Sequence, residues 1–275
     1  MKTILVINNN TNEANHAALM ALKIAGQLQA DIIIANNYLK VKKRAGKVLA
    51  GATWHTEQAG PASMLRHLQS QNLQPPLYTP EISEVDITGM DTEAVAQIIN
   101  KRQVWMMIKG MPLTKPDNQQ GNQITAHAVL NRVLCPLLLV PVNWAIKDIE
   151  RIVYIADLRY CRLQIVRYLA EIARPVNASL SIAHIAARGL PEIMEPYALQ
   201  LFSEEVCSNI KYNRLFFNNI KEKNLEKAID VLVNGMHNDI LVLINHRFHF
   251  EEIFGRYITR SLPGHINTPL LIFPY

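Results

Sequence analysis

The sequence predicts an α/β protein built from two tandem domains, each a doubly wound, mostly parallel sheet with helices on both faces. Three observations predict this fold class. Short apolar strands alternate with amphipathic helical segments, the whole order of elements occurs twice, and each copy closes on a strand that proline opens and closes. With 275 residues, 49% of them hydrophobic, the chain can bury two ordinary cores, and we expect domains at residues 1–145 and 146–275.

The first copy opens on a β-branched apolar strand, followed by a helix in which alanine and leucine recur at helical spacing. Asp91 is the predicted cap of the next helix, because its short side chain can accept a bond from the first free amides. The last strand lies between Pro136 and Pro141, since proline is tolerated at strand ends but not in a central ladder. The predicted strands are 4–9, 32–36, 104–108 and 135–141, and the helices are 14–28 and 91–100.

The second copy repeats this order. Its predicted strands are 152–157, 180–184, 240–244 and 268–274, and its helices are 166–173 and 225–233, the latter stopped by Asn234 and Gly235. Its first two strands follow their counterparts by 148 residues and its last strand by 133, so the second copy is shorter in its middle. Continuous apolar runs such as these are typical of strands buried on both faces of a parallel sheet.

Composition excludes several classes of protein. The chain contains no run of eighteen apolar residues, so no transmembrane helix is predicted, and its start predicts a strand instead of a signal peptide. Three scattered cysteines argue against a disulfide framework or a zinc site and indicate a cytoplasmic protein.

The net charge of +5 is mild, but one cluster of basic residues, Lys40–Lys47, could bind phosphate, nucleic acid or an anionic membrane. Without interleaved aromatic residues, we interpret it as a solvated loop.

Several segments resemble the universal stress protein family. Met1–Ile7 and Arg151–Asp157 resemble the first strand of that family, and Ser181–Ile185 resembles its second. Cys135–Pro141 and Thr268–Pro274 resemble its closing strand. The order, spacing and duplication of these segments extend over nearly the whole chain, which therefore resembles a tandem, two-domain member of the family.

The resemblance implies a Rossmann-like fold of the adenine nucleotide alpha hydrolase type, with five mostly parallel strands in each domain. It also implies that a pseudo-two-fold axis relates the two copies and that their last strands pair. We therefore expect Leu137–Val140 and Leu270–Phe273 to face each other, which would also protect two apolar sheet edges. A further homodimer or a protein partner remains open.

Many members of the family bind ATP or AMP through an Asp after the first strand and a glycine-rich loop after the fourth, where backbone amides meet the phosphates. This sequence departs from that pattern in both copies. In the first copy, Asn9 replaces the Asp, and Gly110 is one of two glycines left in the loop. The second copy keeps Asp157, but the bulky residues Arg256 and Tyr257 stand where Gly-Ser is expected.

The candidate nucleotide-contacting residues follow from this resemblance. They are Ala156, Asp157, His184, Gly255, Arg256 and Tyr257 in the second copy, and Asn9 and Gly110 in the first. A histidine that ends a buried strand, as His184 does, is more often satisfied within the core than catalytic. Arg247 and Arg256 could supply charge to an anion by a route other than the glycine loop.

Other candidate sites are weaker. His246 and His249 have a spacing of three, which metal sites use on helices, but no third ligand is near in sequence, so we interpret them as part of a surface loop. The aromatic residues Phe248, Phe250 and Phe254 are candidates for contacts between the two copies. No nucleophile elbow or carboxylate pair in a recognisable motif indicates an enzyme.

We therefore expect a non-enzymatic stress-response or regulatory protein with a degenerate nucleotide pocket, requiring no cofactor and no metal. It would sense a small ligand or contact other proteins, and we expect no membrane and no specific nucleic acid as partner. Two alternatives stay open: an ATP or AMP sensor that acts through the second domain, and an enzyme that acts on adenylylated substrates. Fold alone decides between none of them.

Overall fold

The protein forms one ten-stranded sheet in a computed structural model that describes residues 1–38, 78–112, 126–187, 190–254 and 266–275, with Met64 and Leu68. The strands are β1 Lys2–Asn8, β2 Ala30–Asn36, β3 Ile82–Asp86, β4 Met106–Met111, β5 Leu137–Pro141, β6 Arg151–Ile155, β7 Ser179–Ile185, β8 Leu215–Ile220, β9 Ile240–Ile244 and β10 Leu270–Phe273. Their order across the sheet is β3-β2-β1-β4-β5-β10-β9-β6-β7-β8. Each half therefore holds five parallel strands in the same order, which confirms the predicted tandem Rossmann-like fold.

Helices connect the parallel strands, and several begin or end where short polar side chains predict it. The α-helices are α1 Asn12–Leu28, α2 Thr92–Lys101, α3 Ala126–Leu130, α4 Leu163–Val176, α5 Glu195–Leu201, α6 Leu225–Asp230 and α7 Phe250–Phe254. Thr11 caps α1 and Asp91 caps α2, each accepting a bond from the amide three residues on. α1 and α4 end in left-handed residues, Gln29 and Asn177. No helix of the described ranges is long and apolar enough to span a membrane.

Two cores lie on opposite faces of the sheet, and each runs through both halves. Successive side chains of a strand point to opposite faces, so Ile4 and Val6 enter the first core while Leu5 enters the second. The first core holds the apolar faces of α1 and α4, and the second holds those of α2 and α6. Strands buried on both faces explain why their sequences are continuously apolar.

The two halves join through their last strands, as predicted. β5 and β10 pair antiparallel, with Leu271 opposite Leu138, so the sheet continues across the junction. On one face, the Tyr168 ring of α4 stacks on Trp105 at 4.1 Å between centroids, and its hydroxyl donates to the Trp105 carbonyl at 2.8 Å. Lys2 lies over the Trp105 ring and pairs with Glu171 at 2.8 Å. The junction thus combines main-chain pairing with aromatic packing.

The structure also differs from the sequence expectations. It adds β3 and β8, the third strand of each half, which the pattern did not locate, and it shifts the strand predicted at 104–108 to β4. The helix predicted at 225–233 ends as α6, and a π-helical turn at Val231–Gly235 follows it. The basic cluster Lys40–Lys47 lies outside the described residues. The boundary after residue 145 falls in the connection from β5 to β6 and stays a prediction.

Candidate functional site

The candidate site lies at the carboxyl edge of the second half, where ligands bind in open α/β sheets. Asp157 follows β6, and His184 is the penultimate residue of the neighbouring strand β7. Both side chains are fully buried. The structure therefore brings together two of the predicted site residues, on adjacent parallel strands, but places both of them out of contact with solvent.

Asp157 is occupied by a partner from its own chain. The carboxylate accepts a bond from the Arg159 amide at 3.0 Å and starts a 3-10 turn, Leu158–Tyr160. The Arg159 guanidinium folds back onto it, with Nε 2.9 Å from Oδ1 and Nη2 bonded to Oδ2. Burial raises the pKa of Asp157, but the hydrogen bonds and charge of Arg159 outweigh it and hold that pKa below its ordinary value. The pair is a bidentate, charge-assisted contact, which is among the stronger kinds of hydrogen bond.

His184 is held as a neutral imidazole. Its Nε2 lies 3.1 Å from the carbonyl oxygen of Pro191, which can only accept, so Nε2 carries the proton. Burial lowers the pKa of His184, and the opposing influence of Asp157 does not restore it. Its buried Nδ1 has no hydrogen-bond partner among the described residues. This tautomer leaves Nδ1 as an unused acceptor beside the Asp157–Arg159 pair.

The connection from β7 to β8 packs against the carboxyl ends of those two strands. Besides the Pro191 carbonyl, the Ile193 carbonyl accepts a bond from the Asn219 side chain of β8 at 3.1 Å. From the other side, His249 contacts the Ile185 carbonyl through Nε2 at 3.0 Å and is itself 1% exposed. The described carboxyl edge of β7 is thus covered by the chain's own segments.

In the first half, amides occupy the equivalent positions. The repeat offset places Asn9 opposite Asp157 and Asn36 opposite His184. Asn9 accepts a bond from the Thr11 hydroxyl at 3.0 Å, and buried Asn8 donates to Asn36 at 2.8 Å. At these two positions the first half therefore has neutral hydrogen bonds, where the second half has the Asp157–Arg159 ion pair.

Gly110 has a packing role in the structure. A Cβ at this position would lie 2.0 Å from the carbonyl oxygen of Glu13, in the first turn of α1. Only glycine permits that approach between a strand and a helix backbone. The predicted contact of Gly110 with a nucleotide stays a prediction.

The remaining predicted residues divide into placed and undescribed ones. Ala156 is buried, and its amide donates to the Ala183 carbonyl at 3.0 Å, so it extends the pairing of β6 with β7. Gly255, Arg256 and Tyr257 lie outside the described residues.

The interpretation of the two histidines as a surface loop is wrong for His249. Its side chain is buried, because the turn after β9 folds it against Ile185. His246 is exposed, as predicted, and its Nδ1 lies 3.6 Å from Oε1 of Glu251. Phe250 is fully buried in the second core. Across the described ranges, no cluster of side chains suited to a metal ion occurs.

Sequence reasoning missed Arg159, and it missed that Arg162 and Tyr275 lie beside Arg247, which was predicted as a source of charge for an anion. The Arg247 guanidinium lies 4.6 Å from the Tyr275 ring centroid and donates to its hydroxyl at 2.7 Å, while Arg162 approaches the same ring at 5.4 Å. Asn245, at the end of β9, donates to Asn131 of the first half at 2.7 Å. An Arg two residues after a strand-ending Asp was the available signal for Arg159, but such arginines are ordinarily solvated.

Comparison with known proteins supports the fold. No family model and no curated protein matches the chain. Among solved structures, a universal stress protein from Archaeoglobus fulgidus has a TM-score of 0.62 at 11% identity, over 99% of this chain and 98% of its own. A Pseudomonas aeruginosa protein described as a universal stress protein has a TM-score of 0.55 at 14% identity, over 100% and 93%. The cytoplasmic domain of a prokaryotic cation chloride cotransporter has a TM-score of 0.52 at 9% identity, over 98% and 94%.

These likenesses extend over the whole chain, so the chain has the fold of universal stress proteins. The resemblance predicted from the strand segments is confirmed at the level of the fold. At such low identities the fold is what the likeness establishes, and function has to be argued from the site.

Proposed function

We propose that the chain is a non-enzymatic, regulatory member of the universal stress protein family in which its own side chains occupy the carboxyl edge of the second half. One observation carries the proposal. The carboxylate expected to meet a nucleotide, Asp157, is fully buried and paired with Arg159. A nucleotide contacting Asp157 would first have to displace that guanidinium.

Displacement would be costly. Leaving a buried carboxylate without its hydrogen-bonded partner costs about 2 kcal/mol. The first half has Asn9 in place of a carboxylate. The backbone of Glu13 packs directly against Gly110, so the space beside that glycine is already taken. Both halves therefore favour a protein that acts through its surfaces over one that turns over a nucleotide.

The cysteines fit a cytoplasmic role. Cys135, Cys161 and Cys207 are all free thiols, and burial raises the pKa of Cys135 and of Cys161 to about 12. Unreactive, unpaired thiols are typical of proteins that work in a reducing compartment.

The test is thermal unfolding with and without ATP or AMP at millimolar concentration. The proposal expects no shift in the midpoint for the native chain. A ligand at one hundred times its dissociation constant would add about 2.7 kcal/mol of stability, so binding of ordinary strength is readily seen. A clear shift that Asp157→Ala abolishes would contradict the proposal and establish a nucleotide sensor.

One observation favours the sensor as second candidate. The Arg159 side chain is 28% exposed and could turn outward, while Arg162 and Arg247 already converge on Tyr275 at the same edge. Under that alternative, Arg159→Ala frees Asp157 and strengthens ATP binding, whereas Arg102→Ala, at an exposed site in the first half, changes nothing.

For the enzyme alternative, the measurement is steady release of phosphate or pyrophosphate, which Asp157→Ala would abolish.

A further inference from the structure

β8 is an end strand of the sheet. Among the strands that the structure describes, it has a neighbour on one side only, β7. The amides of Leu180 and Ala186 donate to the carbonyls of Arg214 and Ile220, so the main chain at these residues faces β7. Main-chain groups alternate sides along a strand, so those of Leu215, Phe217 and Asn219 point outward, away from β7.

The sequence of β8 lacks the usual protection of an edge. Its six residues, Leu215–Ile220, include no charged side chain, and Phe216 is 50% exposed. The opposite end strand, β3, carries Glu84 and Asp86 on its exposed side. Charged residues on an edge strand discourage pairing with another chain, whereas an uncharged edge invites it.

A basic cavity adjoins the amino end of the same strand. It is wide open to solvent, has a volume of about 510 Å³ and is lined by Arg174, Asn177, Lys211, Tyr212 and Asn213, where α4 ends and the loop into β8 passes. The Arg174 guanidinium donates to the Lys211 carbonyl at 2.9 Å, which fixes the guanidinium at the cavity wall. Two cations and two side-chain amides can together receive a carboxylate.

The first half has the opposite charge at the corresponding place. Before β3, the Tyr78 hydroxyl donates to Asp31 at 2.7 Å, and the Glu81 amide donates to the same carboxylate. The amino end of β3 is therefore acidic where that of β8 is basic. The basic cavity is a property of one half and not of the shared fold.

We propose that β8 binds the extended, acidic C-terminal segment of a partner protein, which adds an antiparallel strand to the sheet and places its terminal carboxylate in the cavity between Arg174 and Lys211. An antiparallel segment ends at the amino end of β8, where the cavity lies. Main-chain bonds to the outward groups of β8 give the affinity, and the cavity gives preference for a free, negatively charged end. This surface is separate from the carboxyl edge, so it does not depend on the function proposed above.

The experiment measures binding of a fluorescein-labelled peptide of alternating valine and glutamate, with a free C-terminal carboxylate, to the full chain by fluorescence anisotropy. Two peptide variants leave the protein untouched: one is amidated at its C-terminus, and the other is N-methylated at alternate residues. We expect the first to bind at least tenfold more weakly, because it loses the terminal charge. We expect the second to lose measurable binding, because it cannot donate to a strand.

Protein variants locate the site. The double variant Arg174→Glu with Lys211→Glu replaces the two positive charges of the cavity with negative ones. It should weaken binding of the free-acid peptide at least tenfold. The matched control, Lys101→Glu with Arg102→Glu, changes the net charge equally at exposed sites of the first half and should bind as the native chain does. Absence of binding at millimolar protein, equal binding of the amidated peptide, or equal losses in the two double variants would each overturn the proposal.

Discussion

The two halves share one strand order but differ in the step from their first strand to their first helix. In the first half, Thr11 caps α1, which begins at Asn12 directly after β1. In the second half, Leu158–Tyr160 form a 3-10 turn, and α4 begins at Leu163, three residues later than the repeat offset predicts. One topology thus accommodates two different local structures at the edge where this fold can bind ligands.

The difference continues onto the neighbouring strand. Gly110 of β4 admits the backbone of Glu13, whereas the equivalent residue of β9, Ile244, is buried in the core. A helix that starts early needs the glycine, and one that starts late leaves room for a large side chain. The later start of α4 therefore leaves space in the second half, and the Arg159 guanidinium uses it to fold back on Asp157. In the first half, the first turn of α1 occupies the same space.

Gly110→Ala should have the largest effect. The new Cβ would fall 2.0 Å from the Glu13 carbonyl oxygen, so strand and helix must separate, at a cost of about 3 kcal/mol in the free energy of unfolding. The control is Gly89→Ala, where φ is +76° and nothing lies within 4 Å, which should cost about 1 kcal/mol through the backbone alone. Urea unfolding of both variants measures the difference, and equal costs would contradict the close approach.

Arg159→Ala should cost about 2 kcal/mol, because it leaves the buried Asp157 carboxylate without its main partner. Asp157→Ala should cost less, since the partly exposed Arg159 can turn to water. In the first half, Thr11→Ala removes the corresponding cap for about 1 kcal/mol. Urea unfolding compares the three, and a larger loss for Asp157→Ala than for Arg159→Ala would show that the turn matters more than the charge.

Acid should lower the free energy of unfolding through two groups of the second half, His184 and Asp157. The pKa of His184 is lowered from its ordinary 6.5, so below that pH the unfolded chain binds a proton that the native chain does not, and stability falls by up to about 1.4 kcal/mol per pH unit. The lowered pKa of Asp157 adds loss at still lower pH, as the carboxylate protonates. His184→Asn, which copies Asn36, should flatten the slope between pH 6.5 and 5.

The control for that slope is His237→Asn, which makes the same substitution at an exposed position. The measurement is the free energy of unfolding in urea at several pH values. An unchanged slope for His184→Asn would mean that other groups cause the loss of stability in acid.

Much of the fold follows from the sequence because buried parallel strands have a plain signature. β9 is apolar throughout, and β1 and β2 contain the apolar runs 4–7 and 32–35, so the duplication of such runs shows the tandem arrangement. β8 was missed because Asn218 and Asn219 are uncommon in strands, and its pairing with β7 decides its conformation. An end strand is half exposed, so its sequence need not be apolar throughout.

The position of the candidate site was predictable from the sequence, but the group that Asp157 contacts was not. Asp157 and His184 follow from the strand ends, since those ends meet at one edge of a parallel sheet. Whether Asp157 faces a ligand or Arg159 depends on the 3-10 turn, which a shift of three residues in the start of α4 creates. No periodic pattern encodes such a shift.

Tyr168→Phe should have the smallest effect, and it tests whether the halves unfold as one unit. The ring can still stack on Trp105, so the loss is one hydrogen bond to the Trp105 carbonyl, worth about 1 kcal/mol.

The repeat places Met20 and Asp239 at the positions equivalent to Tyr168 and Trp105, so this contact exists on one side of the junction only. Because β5 and β10 continue the sheet, we expect one calorimetric transition that shifts as a whole, with exposed Tyr160→Phe as a control that leaves it in place. Two transitions, of which the variant moves only one, would mean that the halves are stable independently and that their differences at the carboxyl edge are uncoupled.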